Sequence, residues 1–298
     1  MSFQPGPRPA WLFAAPALFI FIWSTGYIAA KYVVQVADPL TFLCVRYAGS
    51  IVLMVALAAW ARATWPSRAD AWRIALAGIL MQALYLGGVW TAVRHGMSAG
   101  VAALIVNLQP VLTAAAGPLI GERVSARQWG GLGLGVIGVA LVVSNKVADA
   151  SMPLHTVGLT LLSLFAITSG LLYQKRHVPA FDLRAGQAIQ FTASLVVTLP
   201  FAWLLEDHRF DINATSLLTL AWSVFVLTGI GISLLFLMMR HGDATRVTSY
   251  MYLAPAVTAL MAWPLFGETF GVVALIGMVI TIAGVALVVT RGARGETT

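Results

Sequence analysis

Ten apolar stretches, each close to the ~20 residues that cross a bilayer core, follow one another with short loops between them. They lie at about 10–32, 39–60, 71–93, 97–120, 125–144, 154–175, 183–205, 215–239, 243–266 and 269–290. In lipid, every backbone N–H and C=O must find its partner inside the segment, so stretches of this length cross as helices. The expected fold class is therefore all-α integral membrane, with ten transmembrane helices in a single membrane domain spanning 1–298. Composition agrees: 59% of the 298 residues are hydrophobic and only 10% charged, against about 25% in an ordinary soluble domain. That excludes a soluble enzyme, a disordered chain and, with Cys44 as the single cysteine, a disulfide scaffold. The first stretch has only Arg8 before it and exceeds a signal-peptide core, so it reads as a retained helix.

The net charge of +7 would suggest nucleic acid in a soluble protein, but here it follows topology, and no nucleic-acid partner is expected. With the N-terminus inside, the inner segments hold thirteen Lys/Arg and the outer loops four: Lys31, Arg94, Lys146 and Arg209. Arg46 lies within a span and belongs to neither set. This asymmetry places both termini in the cytoplasm by the positive-inside rule.

The chain also repeats itself at an offset of 144–146. Arg94-His95-Gly96 recurs as Arg240-His241-Gly242. Pro118, Gly121 and Glu122 recur as Pro264, Gly267 and Glu268, and Lys31 and Asp38 as Lys175 and Asp182. Polar and helix-breaking residues at one common offset are harder to obtain by chance than Val/Ala/Leu matches. Repeat one covers about 10–145 and repeat two about 154–291, with five spans each. Five is odd, so the second half enters from the opposite side and the repeats are expected to be inverted. Inverted halves can exchange shapes, which opens a midplane site to one side and then the other.

Trp23-Ser24-Thr25-Gly26, its echo Thr168-Ser169-Gly170, and Leu108-Gln109-Pro110-Val111 before Gly121-Glu122 resemble the EamA family of the drug/metabolite transporter superfamily. Leu253-Ala254-Pro255-Ala256 before Gly267-Glu268 repeats the latter set. The resemblance covers essentially the whole chain. It implies export of amino acids and related metabolites, and a central cavity lined by spans 1–4 and 6–9 with spans 5 and 10 toward the outside.

Among residues able to carry chemistry, all eleven acids sit at span ends or in loops. Coupled pumps commonly keep a carboxylate in the pathway, so this pattern suggests a facilitator or coupling through another group. No spacing of His, Cys, Asp or Glu suits a metal, and no cofactor is expected. Arg46 lies eight residues past Asp38, about 12 Å into the bilayer. It reads either as an anchor for a substrate carboxylate or as a structural arginine that snorkels or bonds carbonyls. Its repeat mate is Gln190. Pro110 and Pro255 fall mid-span at equivalent positions and are candidate hinges, the alternative being a packing kink. Asn107 and Gln109 flank Pro110 and could bind substrate, as could Tyr250 and Tyr252 in the matching stretch. Trp23, Ser24, Tyr47, Gln82, Tyr85 and Trp90 complete the candidate substrate-binding set. His95 and His241 read as helix-end residues before a glycine stop, and Gly131-x-x-x-Gly135 as a close-packing face rather than a dinucleotide fingerprint.

The expected function is a secondary transporter of amino acids, including aromatic or large neutral ones, in a bacterial inner membrane, working by alternating access. Its partners are a small-molecule substrate and membrane lipid, and a monomer is expected. Rival functions are a nucleotide-sugar or sugar-phosphate carrier, which would need several mid-depth cations, a multidrug exporter, a channel, and a membrane-embedded lipid-modifying enzyme, which would need a reactive constellation.

Overall fold

A computed structural model describes residues 11–116, 125–148, 152–178, 180–231, 233–234 and 253–289. These form ten helical rods: α1 (Trp11–Val36), α2 (Pro39–Trp60), α3 (Arg68–Arg94), α4 (Ala99–Ala115), α5 (Ala126–Ala148), α6 (Leu154–His177), α7 (Leu183–Leu205), α8 (Ala214–Ile230), α9 (Ala254–Phe266) and α10 (Val272–Val289). Six of them, α1–α3 and α5–α7, are both long and apolar enough to cross a bilayer on the described residues alone. The other four are shorter apolar helices. Among the described residues the only strand-like pairing is one antiparallel bridge, Ala37 with Phe210.

Each rod has a local reason to form. Pro39 opens α2, where its missing N–H costs nothing. Ser98 caps α4 by accepting from Val101 N at 3.3 Å, and Asn213 and Ser216 form a reciprocal cap on α8. Within the spans, hydroxyls fold back onto their own helix. Thr160, Thr168 and Thr281 each donate to the carbonyl four residues earlier, at 2.8, 2.7 and 2.8 Å. In hydrocarbon this satisfies a polar group at no demand on its neighbours.

Two rods are not α-helical throughout. Ile79–Leu84 in α3 and Trp222–Ile230 in α8 are π-helical. The two segments fall at the repeat offset, near mid-span. Wider turns displace carbonyls from the regular ladder, and side chains from nearby bond them: Tyr47 Oη donates to Gln82 O at 2.8 Å, and Thr228 Oγ1 to Ser223 O at 3.1 Å. The α4 rod is interrupted at Asn107 and Leu108, immediately before Gln109-Pro110. Pro110 has no N–H to give and its ring disfavours a continuous helix.

The rods pack as a bundle. α2 lies along α7, and α3 is held between α6 and α7. α1 and α4 both meet α9, and α8 rests on α1 and α2. α5 lies along α10, backbone against backbone. A Cβ at Gly138 would stand 2.5 Å from Gly277 O, and one at Gly284 would stand 2.7 Å from Gly131 O. The glycine face of the fifth span is thus spent on its tenth-span neighbour.

One end of the bundle is tied across the two halves. The Glu206 carboxylate accepts from Leu40 N at 2.8 Å and Thr41 N at 2.7 Å, capping α2 where Asp38 makes no side-chain cap. Glu268 accepts from Ala99 N at 3.0 Å, at the start of α4, and pairs with Lys31 at 3.0 Å. Asp38 pairs with Arg94 at 3.3 Å and accepts from Arg209 N at 2.9 Å. The exposed Arg209 guanidinium is held above its ordinary range by its bonds to Asp211.

Candidate functional site

A cavity of about 190 Å³ lies in the middle of the bundle. Trp23, Gly26 and Tyr27 reach it from α1, Arg46 from α2, and Gln82, Tyr85 and Trp90 from α3. Ile167 closes it from α6, Gln187 and Phe191 from α7, and Leu227 and Thr228 from α8. Both π-helical segments therefore contribute to its wall. Regular α-turns stack side chains at i and i+4; a π-turn shifts that register by one residue. In α3 Met81 and Gln82 within the π-segment and Tyr85 and Val89 beyond it reach the same cavity.

Arg46 dominates the electrostatics. It is buried, and among the described residues it makes no ion pair and no hydrogen bond; its Nε is buried without a partner. Its guanidinium carbon lies 5.9 Å from the centre of the Trp90 ring, an arrangement that offers partial compensation through the ring face. Trp90 is itself fixed by stacking on Phe42 at 5.5 Å. Among the described lining residues Arg46 is the one charged group, and no carboxylate faces it. The other polar groups among them are neutral. Tyr27 and Tyr85 place their hydroxyls 3.3 Å apart. Gln187 Oε1 is buried with no partner.

Of the residues singled out by sequence, Trp23, Arg46, Gln82, Tyr85 and Trp90 meet at this cavity. Tyr47 does not face it. Its ring packs on Phe191 at 5.9 Å and its hydroxyl is committed to Gln82 O, so it supports the wall from behind. Ser24 is wholly buried and donates to Ala254 O at 3.3 Å, tying α1 to α9. Asn107, Gln109 and Pro110 line a separate niche of about 20 Å³, which shares Trp23, Tyr27 and Ile167 with the cavity. Gln109 Nε2 donates to Thr113 Oγ1 at 2.9 Å, while Asn107 Nδ2 is buried without an acceptor. Pro255 is buried in the first turn of α9 as described. Tyr250 and Tyr252 lie outside the described residues. His95 Nδ1 meets Thr91 O at 2.8 Å and Gly96 follows with a φ of +102°, the helix stop that the sequence suggests.

Sequence reasoning missed Tyr27, Gln187 and Thr228. Tyr27 stands four residues after Trp23 and Gln187 three before Gln190, so helical spacing offered a signal for both. Thr228 is an ordinary span threonine with no such signal.

A larger cleft of about 620 Å³ runs between α2, α3, α6 and α7. Its walls are mostly apolar, and of the carboxylates that line it Asp38 pairs with Arg94, Glu206 caps α2, and Asp207 stands at the end of α7.

Comparison with known proteins bears on the family and the fold. The EamA-like transporter family matches the chain twice, over residues 10–144 and 155–290. A protein named probable amino-acid metabolite efflux pump in Salmonella typhimurium is 28% identical over 66% of this chain and 69% of its own length. An Escherichia coli K12 protein of the same name is 23% identical over 90% and 91%. The uncharacterized inner membrane transporter YedA of Escherichia coli K12 is 25% identical over 93% and 90%. A solved crystal structure superposes with a TM-score of 0.67 at 15% identity, covering 97% of this chain and 100% of that one, which bears on the fold alone.

Proposed function

The chain belongs to the EamA-like transporter family, and from that premise we propose that it is a secondary transporter exporting amino acids and related small metabolites across a bacterial inner membrane. The observation that carries the proposal is Arg46: a buried guanidinium with no ion pair among the described residues, at a cavity walled by Trp23, Tyr27, Tyr85 and Trp90. An arginine at such depth costs roughly 2.5 kcal/mol or more unless a partner arrives, and a substrate carboxylate is that partner. The aromatic walls suit an aromatic or large neutral side chain, in line with the further likeness of the sequence pattern to the aromatic amino acid exporter YddG.

Charge speaks against the phosphate-bearing rivals: among the described lining residues a phosphate would meet a single cation, Arg46.

The mechanism we infer is alternating access between two inverted five-helix repeats, about 10–145 and 154–291, in one membrane domain. Two facts support it: the family matches once in each half, and the second, fourth and fifth spans each pack against their own mates, which suits two halves related by a two-fold axis. With both termini cytoplasmic, the ion pairs of Lys31 with Glu268 and of Asp38 with Arg94 tie the outer end of the bundle. Substrate enters from the cytoplasm, its carboxylate meets Arg46 and its side chain packs on Tyr85 and Trp90. Rocking then draws on the interruption before Pro110 and its counterpart at Pro255. Asn107, Gln109, Tyr250 and Tyr252 serve the substrate as it moves past. The working unit is a monomer.

Counter-flow in proteoliposomes tests this reading. Vesicles loaded with one unlabelled amino acid should transiently accumulate labelled phenylalanine, methionine or threonine with no imposed proton gradient. A folded protein that accumulates none of them, with any amino acid inside, rules the proposal out.

A further inference from the structure

The loop between α7 and α8 belongs to the second half of the chain, yet it is bound along the turn between α1 and α2 in the first. Asp38 N donates to Arg209 O at 2.9 Å and Asp211 N to Val36 O at 2.8 Å, the two bonds that flank the Ala37–Phe210 bridge. Glu206, at the start of the loop, holds the N–H groups of Leu40 and Thr41, and Asp38 takes Arg209 N. Side chains alternate along an extended segment. Arg209 and Asp211 lie outward and pair with each other, so Phe210 between them turns inward and packs on the core. From there rings run toward the cavity. Phe210 stacks on Phe42 of α2, with centroids 5.9 Å apart and planes within 15°. Phe42 stacks on Trp90 of α3 at 5.5 Å and 28°. The Arg46 guanidinium carbon stands 5.9 Å from the centre of that Trp90 ring. Phe42 and Arg46 are four residues apart and share one face of α2, and Trp90 meets both.

Resting on the reading of Arg46 as the substrate's anchor, we infer that Phe210 is a positioning residue for it. The seated α7–α8 loop holds Trp90 against Arg46 through Phe42, and so sets the site for substrate. Phe42 and Trp90 are 0% and 2% exposed, and close-packed rings transmit a displacement rather than absorb it. Phe210 is not among the residues that line the cavity, so its effect on substrate passes through the rings. The coupling is reciprocal: a substrate that binds better with the loop seated holds the loop down to the same degree. The second half has no such series. At the offset of 144 that relates Asp38 to Asp182, the middle ring, Phe42, corresponds to Gly186. The two ends of the bundle therefore differ, and the site is coupled through rings to the end where the loop of one half grips the turn of the other.

The test is a double-mutant cycle read by counter-flow of labelled phenylalanine with the full-length protein. Phe210→Ala should raise the half-saturating concentration about two- to tenfold, the usual worth of one aromatic pair, with the maximal rate little changed. Phe210→Tyr keeps the ring and should keep the wild-type value. In an Arg46→Met background the same Phe210→Ala change should add nothing further, because the group it acts through is gone. A merely structural role would make the two losses multiply. Phe210→Leu keeps apolar bulk without the ring and closes the cycle if the alanine variant does not fold. Arg46→Lys, a cation without the planar guanidinium, closes it if the methionine variant transports too slowly to titrate. Losses that multiply, or a half-saturating concentration indifferent to loss of the ring, overturn the role of Phe210 and leave amino-acid transport standing. Failure of every amino acid to exchange in the wild-type protein would instead overturn both.

Discussion

Arg46→Met separates a substrate anchor from a structural arginine, because the two roles predict opposite changes in stability. Arg46 is buried and among the described residues has neither an ion pair nor a hydrogen bond. Placing it there costs about 2.5 kcal/mol or more. The contact with Trp90 returns about 0.5–2 kcal/mol. The unliganded protein therefore carries a net burden of roughly 0.5–2 kcal/mol at this position, which a methionine of similar length removes. The melting temperature of purified Arg46→Met in detergent should be equal to the wild type or a few degrees higher. Transport should move the other way. Losing a charged bond to the substrate carboxylate, worth about 1.5–3 kcal/mol, raises the half-saturating concentration about 10–100-fold. Both numbers come from one preparation, by thermal unfolding and counter-flow. A variant that melts clearly below wild type, or that transports normally, would refute the reasoning.

Other parts of the structure make their own demands. Glu268→Gln removes the partner of Lys31 and weakens the cap on α4, so this end, the outer one in the proposed orientation, should open more often. A cysteine placed at Tyr27 in a background with Cys44 replaced should then label severalfold faster from outside, and an unchanged rate would mean that this tie does not hold the closed state. A Cβ at Gly138 would stand 2.3 Å from Thr281 Oγ1 and 2.5 Å from Gly277 O, whereas one at Gly133 meets nothing within 4 Å. Gly138→Val should therefore cost about 1–3 kcal/mol in thermal unfolding and Gly133→Ala almost nothing. Tyr47→Phe deletes the donor to Gln82 O while keeping the ring on Phe191. It should lower stability by about 1 kcal/mol and slow transport by distorting the π-turn, with substrate preference preserved.

The ten rods were legible because lipid leaves the backbone few options, and a run of ~20 apolar residues advertises the result. The interruption before Pro110 was legible for a similarly local reason, since a missing N–H is written in the residue itself. The π-segments were not. Ile79–Leu84 and Trp222–Ile230 differ from α-helix by which carbonyl each N–H chooses, and uniform apolar composition does not report that choice. Arg46, Trp23, Gln82, Tyr85 and Trp90 were read from depth and polarity and do share a cavity. Ser24 and Tyr47 were read on the same grounds yet turn to backbone carbonyls. A hydroxyl in hydrocarbon must find an acceptor, and whether that is substrate or backbone depends on a facing helix that is far away in sequence. The caps by Glu206 and Glu268 were hidden for the same reason.

Those two caps also impose an order of events on the making of the protein. Leu40 and Ala99 lie 166 and 169 residues before the carboxylates that receive their N–H groups. At about 5–20 residues per second, roughly ten to thirty seconds of synthesis separate each helix start from its cap. Throughout that interval the first five spans stand in the membrane with the ends of α2 and α4 unfinished. The first half is thus a partly assembled structure awaiting parts that only the last third of the chain brings, and the ribosome must have passed residue 268 before both caps are in place.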